Sequence, residues 1–148
     1  LLPEPPPIAT PKDLAKFIDF DGELEDNSYY LHKENRYHKM ISEKVDDLRG
    51  IYQLRKFLVR VKEPGVCPTL TANMGLGGHN VPFIVDRKGL RKLTEQECLR
   101  LQGFHKEFSF PKDVPRAKRY MQVGNSVVPP IAAILAEAVK IKILKDRK

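Results

Sequence analysis

The chain has 148 residues, of which 41% are hydrophobic and 30% charged, and a formal net charge of +7. This length suits one domain with one moderate core, and no apolar run approaches the roughly 18 residues that span a bilayer. Two cysteines and four scattered histidines give neither a disulfide framework nor metal-ligand spacing, so we expect a soluble intracellular protein with reduced thiols and no metal.

The charge is distributed unevenly along the chain. Residues 1–47 contain 6 Lys or Arg and 11 Asp or Glu, whereas residues 48–148 contain 20 and 8. A basic body with an acidic flank suits a polyanionic partner, because cationic side chains that contact phosphates release condensed counterions. An ordinary solvated basic surface explains the charge alone equally well.

The N-terminal third predicts a linker followed by two helices. Residues 1–10 are a Pro-rich, extended lead-in, and a first residue of Leu1 in place of Met fits a piece of a longer chain. Thr10 is placed to cap a short helix with Asp13 in its first turn. A second, polar helix is expected over about residues 28–45. The residues expected to be buried are Leu14, Phe17 and Ile18 on the first helix and Tyr30, Tyr37, Met40 and Ile41 on the second.

From Ile51 onward the pattern changes to short β-like runs separated by Gly-containing loops. These runs are residues 57–61, 67–71 and 81–85. We expect them to form a small twisted sheet, with Cys67 as a strand residue.

Two helices are predicted in the last third of the chain. Thr94 opens the first, Glu97 completes a capping box, and Gly103 is placed to end the helix after residue 102 in a left-handed conformation. A loop is expected to follow, and a turn at Gly124 precedes a final helix that starts at Pro129. The apolar stripe of this helix consists of Val127, Ile131, Ile134, Leu135, Ala138 and Ile141. The class is therefore α+β, with a short sheet and few helices.

The segment from Cys67 to Pro82 is rich in glycine and in hydrogen-bonding side chains. Glycines let a backbone approach a partner closely, so the segment fits a loop that reads a groove of DNA. Cations at nearby positions could contact phosphates or guanine; they are Arg49, Arg55, Lys56, Arg60 and Lys62. These residues alone favour a Gly-rich hairpin with solvated charges by roughly two to one, because short glycine patterns recur by chance.

Two further segments carry a family resemblance. Arg91-Lys-Leu-Thr-Glu-Gln-Glu-Cys-Leu-Arg-Leu-Gln-Gly-Phe104 and Gln122-Val-Gly-Asn-Ser-Val-Val128, in this order, resemble the last two signature blocks of DNA (cytosine-5)-methyltransferases. The likeness covers most of the chain from about Arg49. It implies that residues 11–110 are a DNA-binding target-recognition domain. Residues 111–148 would be a cofactor-edge block and a helix that packs, in the family, on a Rossmann-like catalytic domain missing here.

The resemblance implies a share in cofactor binding. Asn125 and Val127 would contact the methionine end of S-adenosylmethionine, and Ser126 and Gly124 would shape the turn that presents them. The expected cofactor-binding residues are Asn125, Ser126 and Val127. By the same resemblance, four residues of the first block would organise the recognition domain and take no part in the chemistry; they are Arg91, Glu97, Arg100 and Gln102.

The resemblance also implies DNA contacts. Thr69 and Leu70 match a Thr-Leu pair of the family, with Thr69 at the phosphate near the target cytosine, and Arg60 lies where a basic contact is common. The chain would read bases in the major groove and help to hold the cytosine outside the duplex. The expected DNA-binding residues are Arg55, Arg60, Thr69, Thr71, Gly75, Gly77, Gly78, His79 and Asn80.

The chemistry of the family needs residues that this chain lacks. There, a Cys that follows a Pro attacks the flipped cytosine as a thiolate. Here Cys67 precedes Pro68, Cys98 is expected to be a core residue, and the glycine-rich cofactor loop is absent. The resemblance thus implies the recognition and cofactor-edge portion of the enzyme, inactive alone. Its partners would be double-stranded DNA and a catalytic half, either a separate subunit or an upstream part of the same chain.

Two other interpretations stay open. A stand-alone, non-enzymatic DNA-binding module derived from such an enzyme would bind DNA tightly without a partner and ignore S-adenosylmethionine. A plain protein-interaction domain would be insensitive to salt and to substitution of Arg60 or Thr69. We expect an intracellular protein, which would be cytoplasmic in a prokaryote and nuclear in a eukaryote.

Overall fold

The computed structural model describes residues 13–55, 57–76 and 80–146. An antiparallel sheet in the order β2-β1-β3-β4 consists of β1 (Tyr52–Arg55), β2 (Leu58–Val61), β3 (Phe83–Val85) and β4 (Leu90–Lys92). The α-helices are α1 (Arg36–Ser42), α2 (Glu95–Leu101), α3 (Arg116–Asn125) and α4 (Pro129–Asp146). Short 3₁₀ helices cover Leu14–Lys16, Asn27–Tyr29 and Ala72–Leu76. The predicted α+β class, ending in a helix, is confirmed.

The sheet separates two apolar clusters, because successive side chains of a strand point to opposite faces. Phe83 of β3 belongs to the smaller cluster with Ile41 of α1. The next residue, Ile84, belongs to the larger cluster, which includes Leu99 of α2 and Tyr120 of α3. The sheet is thus the support on which α2 and α3, which carry the two signature segments, are fixed.

The helix predicted from Thr94 is confirmed. Thr94 Oγ1 accepts the backbone N–H of Glu97 at 3.1 Å, and Glu97 Oε2 accepts the backbone N–H of Thr94 at 2.7 Å, which completes the capping box. Gly103 follows the helix with φ of +86°, in the left-handed region that favours glycine. Cys98 is a core residue with no exposed surface, as expected.

The helices predicted in the N-terminal third are wrong in extent. In place of one helix over residues 28–45, the chain forms the 3₁₀ helix Asn27–Tyr29 and the separate α1. Asp26 and Asn35 each accept a backbone N–H two residues later at 2.9 Å, so each side chain starts its own helix. The first helix is one 3₁₀ turn capped by Asp13, which accepts the N–H of Ala15; Thr10 lies outside the described residues.

Burial in this third follows the predicted faces only in part. Leu14, Ile18 and Ile41 are buried. Phe17, Tyr30, Tyr37 and Met40 are half-buried, because the shorter helices cover less of them.

The strand prediction is correct for two runs and wrong for the third. β2 and β3 fall within predicted runs, but residues 67–71 form no strand, and Cys67 is not a strand residue. Pro68 lacks the N–H that a ladder requires. Leu70 instead inserts into the larger cluster and leads into the 3₁₀ helix Ala72–Leu76. The sheet is completed by β1 and β4, which the runs did not include.

α3 is a helix where a loop and a turn were expected. It begins after Pro115 and runs to Asn125, so Gly124 lies inside the helix and shapes no turn. Its sequence signal is the pair Tyr120 and Val123, which are spaced three apart and both buried. The turn is confined to Ser126 and the residues after it.

α4 begins at Pro129 as expected, but beyond the contact of its first turn with Gly103 it leaves much of its apolar surface exposed. None of its residues from 129 to 145 is buried. Its exposed apolar side chains are Ile131, Leu135, Val139, Ile141, Ile143 and Leu144. In the described part of the chain, no helix is long and apolar enough to cross a membrane, and no group of three or more His, Cys, Asp or Glu is arranged to hold a metal.

Candidate nucleic-acid interface and cofactor edge

Arg91, the first residue of the first signature segment, is buried with 1% exposure. Its guanidinium donates to both oxygens of Glu97 at 2.8 Å and, through Nε, to Asp86 Oδ2 at 2.6 Å. The carbonyls of Lys92 and Asp19 accept two further hydrogen bonds. Burial alone would lower the pKa of Arg91, but hydrogen bonds and charges of the two carboxylates outweigh it and raise the pKa. Arg91 therefore joins β4, α2 and the N-terminal segment and leaves no donor for a ligand.

The two signature segments are hydrogen-bonded to each other at the end of α3. The carbonyl of Val123 accepts Gln102 Nε2 at 3.3 Å, and it also accepts Ser126 Oγ at 2.6 Å. Gly103 lies against the start of α4, where a Cβ would come within 2.9 Å of Pro130 Cδ. The end of α2 thus fixes where α3 ends and where α4 begins.

Two glycines bring the glycine-rich segment against α3. A Cβ on Gly124 would lie 2.1 Å from the backbone carbon of Thr71 and 2.2 Å from the nitrogen of Ala72. A Cβ on Gly75 would lie 2.3 Å from the carbonyl oxygen of Ala117. Contacts this close between backbones are possible only without side chains. The role of Gly75 as a packing residue explains its presence without any DNA contact.

The expected cofactor-binding residues lie together at the end of α3. Asn125 is its last residue and is exposed, Ser126 is the C-cap, and Val127 is 66% exposed. The Asn125 carboxamide has no hydrogen bond to the described residues. A free amide beside an apolar side chain fits the charged amino-acid end and the methylene chain of S-adenosylmethionine.

The expected DNA-binding residues of the glycine-rich segment are only partly described, since Gly77, Gly78 and His79 lie outside the described residues. Thr69 is exposed, whereas Thr71 is half-buried. The Thr71 carbonyl accepts the N–H of Met74 at 3.0 Å. Asn80 Nδ2 donates to the carbonyl of Asn73 at 3.1 Å, which ties the two ends of the segment together. Among the described members of this group, Thr69 is therefore the one that is fully exposed to a partner.

Arg55 and Arg60 lie on the hairpin of β1 and β2, at the edge of the sheet. Both are exposed, and neither forms an ion pair with the described part of the chain. Arg49 differs, because its Nη2 lies 3.2 Å from Asp21 Oδ2. Arg55 and Arg60 thus keep their charges available for an external anion.

An ion-pair cluster that sequence reasoning missed surrounds Arg116 at the start of α3. The guanidinium donates to Asp26 and to Ser28 Oγ, lies 4.1 Å from the ring centroid of Tyr29, and has its Nε 3.6 Å from Glu95 Oε1. Hydrogen bonds from Ser28 and then Arg116 lower the pKa of Asp26 to about 2. Asp26 and Ser28 lie about 90 residues before Arg116 in the sequence, so no local pattern could have indicated these two partners.

A cavity of about 400 Å³ opens beside this cluster. Lys92 lines this cavity. Burial, and then the charge of Arg116, lower the pKa of the Lys92 ammonium group, which has no hydrogen bond or ion pair among the described residues. The other residues that line the cavity are mostly apolar or aromatic; they include Tyr29, Met74, Leu76, Val81 and Tyr120.

Neither thiol is arranged as a nucleophile. Burial raises the pKa of Cys67 to about 12 and the pKa of Cys98 well above its ordinary value. Cys67 Sγ donates to the carbonyl of Pro68 at 3.3 Å. At neutral pH both side chains are protonated thiols, and a thiol is a much weaker nucleophile than a thiolate.

Comparison with known proteins gives one family. The family model described as C-5 cytosine-specific DNA methylase matches residues 13–141. Type II methyltransferase M.Bsp6I of Bacillus sp. (strain RFL6) is 41% identical over 136 residues, which are 91% of this chain and 42% of that protein. No solved structure matches the chain.

Other relatives match shorter stretches. Type II methyltransferase M.NlaX of Neisseria lactamica is 37% identical over 82 residues, 54% of this chain and 26% of that protein. Type II methyltransferase M.MspI of Moraxella sp is 42% identical over 60 residues, 40% of this chain and 14% of that protein. The chain thus spans less than half the length of each of these three relatives.

Proposed function

The chain belongs to the C-5 cytosine-specific DNA methylase family, and on that premise we propose that it is the target-recognition and cofactor-edge portion of a DNA (cytosine-5)-methyltransferase. Residues 11–110 are the recognition domain in this proposal, and residues 111–148 belong to the catalytic domain. The relatives named above come from bacteria, so we place its action on DNA in the bacterial cytoplasm.

The observation that carries the proposal is the reciprocal glycine contact between α3 and the glycine-rich segment. Gly124 meets the backbone at Thr71 and Ala72, and Gly75 meets the carbonyl of Ala117. A segment proposed to contact DNA is therefore packed directly on the helix that ends in the proposed cofactor residues. Rigid packing of this kind would hold the DNA site and the cofactor site at a fixed distance, to within a fraction of an ångström. Transfer of a methyl group from the bound cofactor to the bound DNA requires such a fixed distance.

On the cofactor side, Asn125 would hold the amino-acid end of S-adenosylmethionine and Val127 would pack on its methylene chain. The cofactor supplies the methyl group for C5 of the cytosine. Ser126 would act indirectly, because its Oγ donates to the carbonyl of Val123 at 2.6 Å and so orients the residues on either side. A free carboxamide at the end of α3 is the feature that supports this assignment.

On the DNA side, Thr69 would contact a phosphate near the target cytosine, and Arg55 and Arg60 would contact phosphates or guanine. Contributions to reading the groove would come from Thr71, Gly75, Gly77, Gly78, His79 and Asn80. These contacts would help to keep the cytosine outside the duplex while the reaction takes place. The exposed, unpaired cations of the β1–β2 hairpin support this side of the proposal.

The nucleophile and the remaining cofactor site would come from a catalytic half, either upstream in the same polypeptide or on another subunit. The protonated state of the half-buried Cys67 and of the buried Cys98 supports this division. α4 would pack on that half, because its apolar side chains are left uncovered by residues 13–55, 57–76 and 80–128. Alone, the chain would expose this helix and self-associate.

The test is the transfer of labelled methyl from S-adenosylmethionine to cytosine-containing DNA. We expect no transfer by the chain alone and transfer when a catalytic half of the same family, carrying the Pro-Cys nucleophile, is added. Asn125→Ala should raise the KM for S-adenosylmethionine in the mixture by about tenfold, since one charge-assisted hydrogen bond is lost. The matched control is Gln122→Ala, which changes an exposed side chain one turn earlier on α3.

Transfer by the purified chain alone would overturn the division of labour. Tight DNA binding by the chain alone, with no effect of S-adenosylmethionine or of the added half, would identify a stand-alone DNA-binding module instead.

A further inference from the structure

The tip of the β1–β2 hairpin exposes a large apolar side chain. Arg55 pairs with Leu58, so two residues connect the strands, and Phe57 is one of them. Phe57 is 79% exposed, more than any other large hydrophobic residue described, and Leu58 is 59% exposed. Scattered single apolar residues are common on protein surfaces, but adjoining ones that are rimmed by polar residues mark interaction sites.

The surroundings of the tip are cationic. Residues 49–62 contain five Lys or Arg and no Asp or Glu. Val59 packs on the smaller core cluster, so Leu58 and Arg60 lie on the opposite, outward face of β2. Arg55, which is on β1, lies directly opposite Leu58 of β2. An apolar tip thus stands between cations that belong to both strands.

An apolar tip flanked by cations fits duplex DNA better than it fits a protein surface. A protein surface that covered Phe57 would also desolvate the neighbouring guanidinium groups, which costs free energy unless acidic groups face them. In duplex DNA, flat apolar bases lie between two rows of phosphates, so the aromatic ring and the cations would each find a partner at the same place. A two-stranded ribbon is also narrow enough to enter a groove.

We propose that the β1–β2 hairpin is a wedge, whose Phe57 ring inserts between adjacent base pairs of DNA while Arg55 and Arg60 hold the flanking phosphates. The proposal rests on the proposed DNA-recognition function and adds a residue to it that the glycine-rich segment does not supply. Leu58 supports the ring from the outward face of β2. Insertion of an apolar side chain unstacks a base step and bends the duplex.

A wedge has a property that phosphate contacts lack: it favours DNA whose stacking is already weakened. The probe is a short fluorescent duplex with one mismatched base pair, compared with the fully paired duplex of the same sequence. We expect the chain to bind the mismatched duplex about tenfold more tightly, and Phe57→Ala to bind the two equally. Phe57→Ala should leave the dependence of log K on log salt unchanged, because no phosphate contact is lost.

Two control variants separate the contributions. Arg60→Ala should weaken binding to both duplexes alike and reduce the salt slope by about 0.9, while the preference for the mismatch remains. Leu48→Ala removes a 67% exposed apolar side chain outside the hairpin and should change neither quantity. Circular dichroism of each variant checks that the fold is intact, which the exposure of all three side chains favours.

The outcomes distinguish the two proposals. If the wild-type chain binds duplex DNA and Phe57→Ala keeps the mismatch preference, the wedge is refuted and DNA recognition stands. If the wild-type chain binds neither duplex even at low salt, DNA recognition itself fails, and the wedge fails with it. If Phe57→Ala alters self-association but not DNA binding, the tip is a protein contact and the wedge is again refuted.

Discussion

Replacing Gly124 by Ala probes the contact on which the proposed function depends. The new Cβ would lie 2.1 Å from the carbonyl carbon of Thr71, 2.4 Å from its oxygen and 2.2 Å from the nitrogen of Ala72. Carbon atoms in contact are normally about 3.5–4.0 Å apart. All three crowded atoms belong to the backbone, so no rotation of a side chain can relieve the clash. α3 must therefore move by more than about 1 Å from the glycine-rich segment.

The size of the effect follows from two opposing contributions. Overpacking of a well-packed core costs about 1–3 kcal/mol, whereas Ala is more favourable than Gly inside a helix by about 0.5–1 kcal/mol. We expect a net loss of about 1–2 kcal/mol in the free energy of unfolding. For a domain of this size the melting temperature should then fall by about 2–8 °C.

Thermal and urea unfolding followed by circular dichroism measure this loss. Gln122→Ala on the same helix, with its side chain exposed, should change the free energy of unfolding by less than about 0.5 kcal/mol. A Gly124→Ala variant as stable as the wild-type chain, or more stable, would refute the reasoning, because the helix propensity of Ala would then outweigh any clash.

Three further results are expected. Glu97→Gln leaves the buried guanidinium with one carboxylate and should lower the free energy of unfolding by about 3 kcal/mol in urea titrations; a loss below about 1 kcal/mol would contradict the network's importance. Hydrogen bonds from Ser28 lower the folded pKa of Asp26 from 3.8 to about 2, so its stabilisation is complete above pH 4 and lost as the pH falls towards 2; NMR titration of the carboxyl should show the lowered midpoint, and Asp26→Asn should flatten stability over this window. A disulfide reagent at pH 8 should modify Cys67 and Cys98 slowly in the native chain and rapidly in urea; fast reaction of either native thiol would show that it is accessible and ionised.

Local sequence predicted α2 in detail. Thr94, Glu97 and Gly103 act within one or two turns of each other, so their hydrogen bonds and backbone angles depend little on the rest of the chain. Each of the two signature segments is a short continuous stretch, so it can be identified without the fold. Together, in their order along the chain, they indicated the family that the comparisons then showed. The start of α4 at Pro129 followed in the same way.

The failures have a different origin. The predicted helix over residues 28–45 is broken by side chains that cap backbone groups, at Asp26 and Asn35, and whether such a residue caps or continues a helix is decided by packing. α3 was missed because its apolar face is only Tyr120 and Val123. Residues 67–71 have the alternating pattern of a strand, but they pair with none of the four strands in the sheet β2-β1-β3-β4.

The sequence by itself determined the family, the α+β class and the capped helix, since each depends on residues close together in the chain. Only the tertiary structure decided the role of the glycines. Gly75 and Gly124 are 49 positions apart, and their sequence context indicated a loop and a turn. Folding places each against the backbone of the other's segment, and the physical reason for glycine there is the absence of a side chain in that contact.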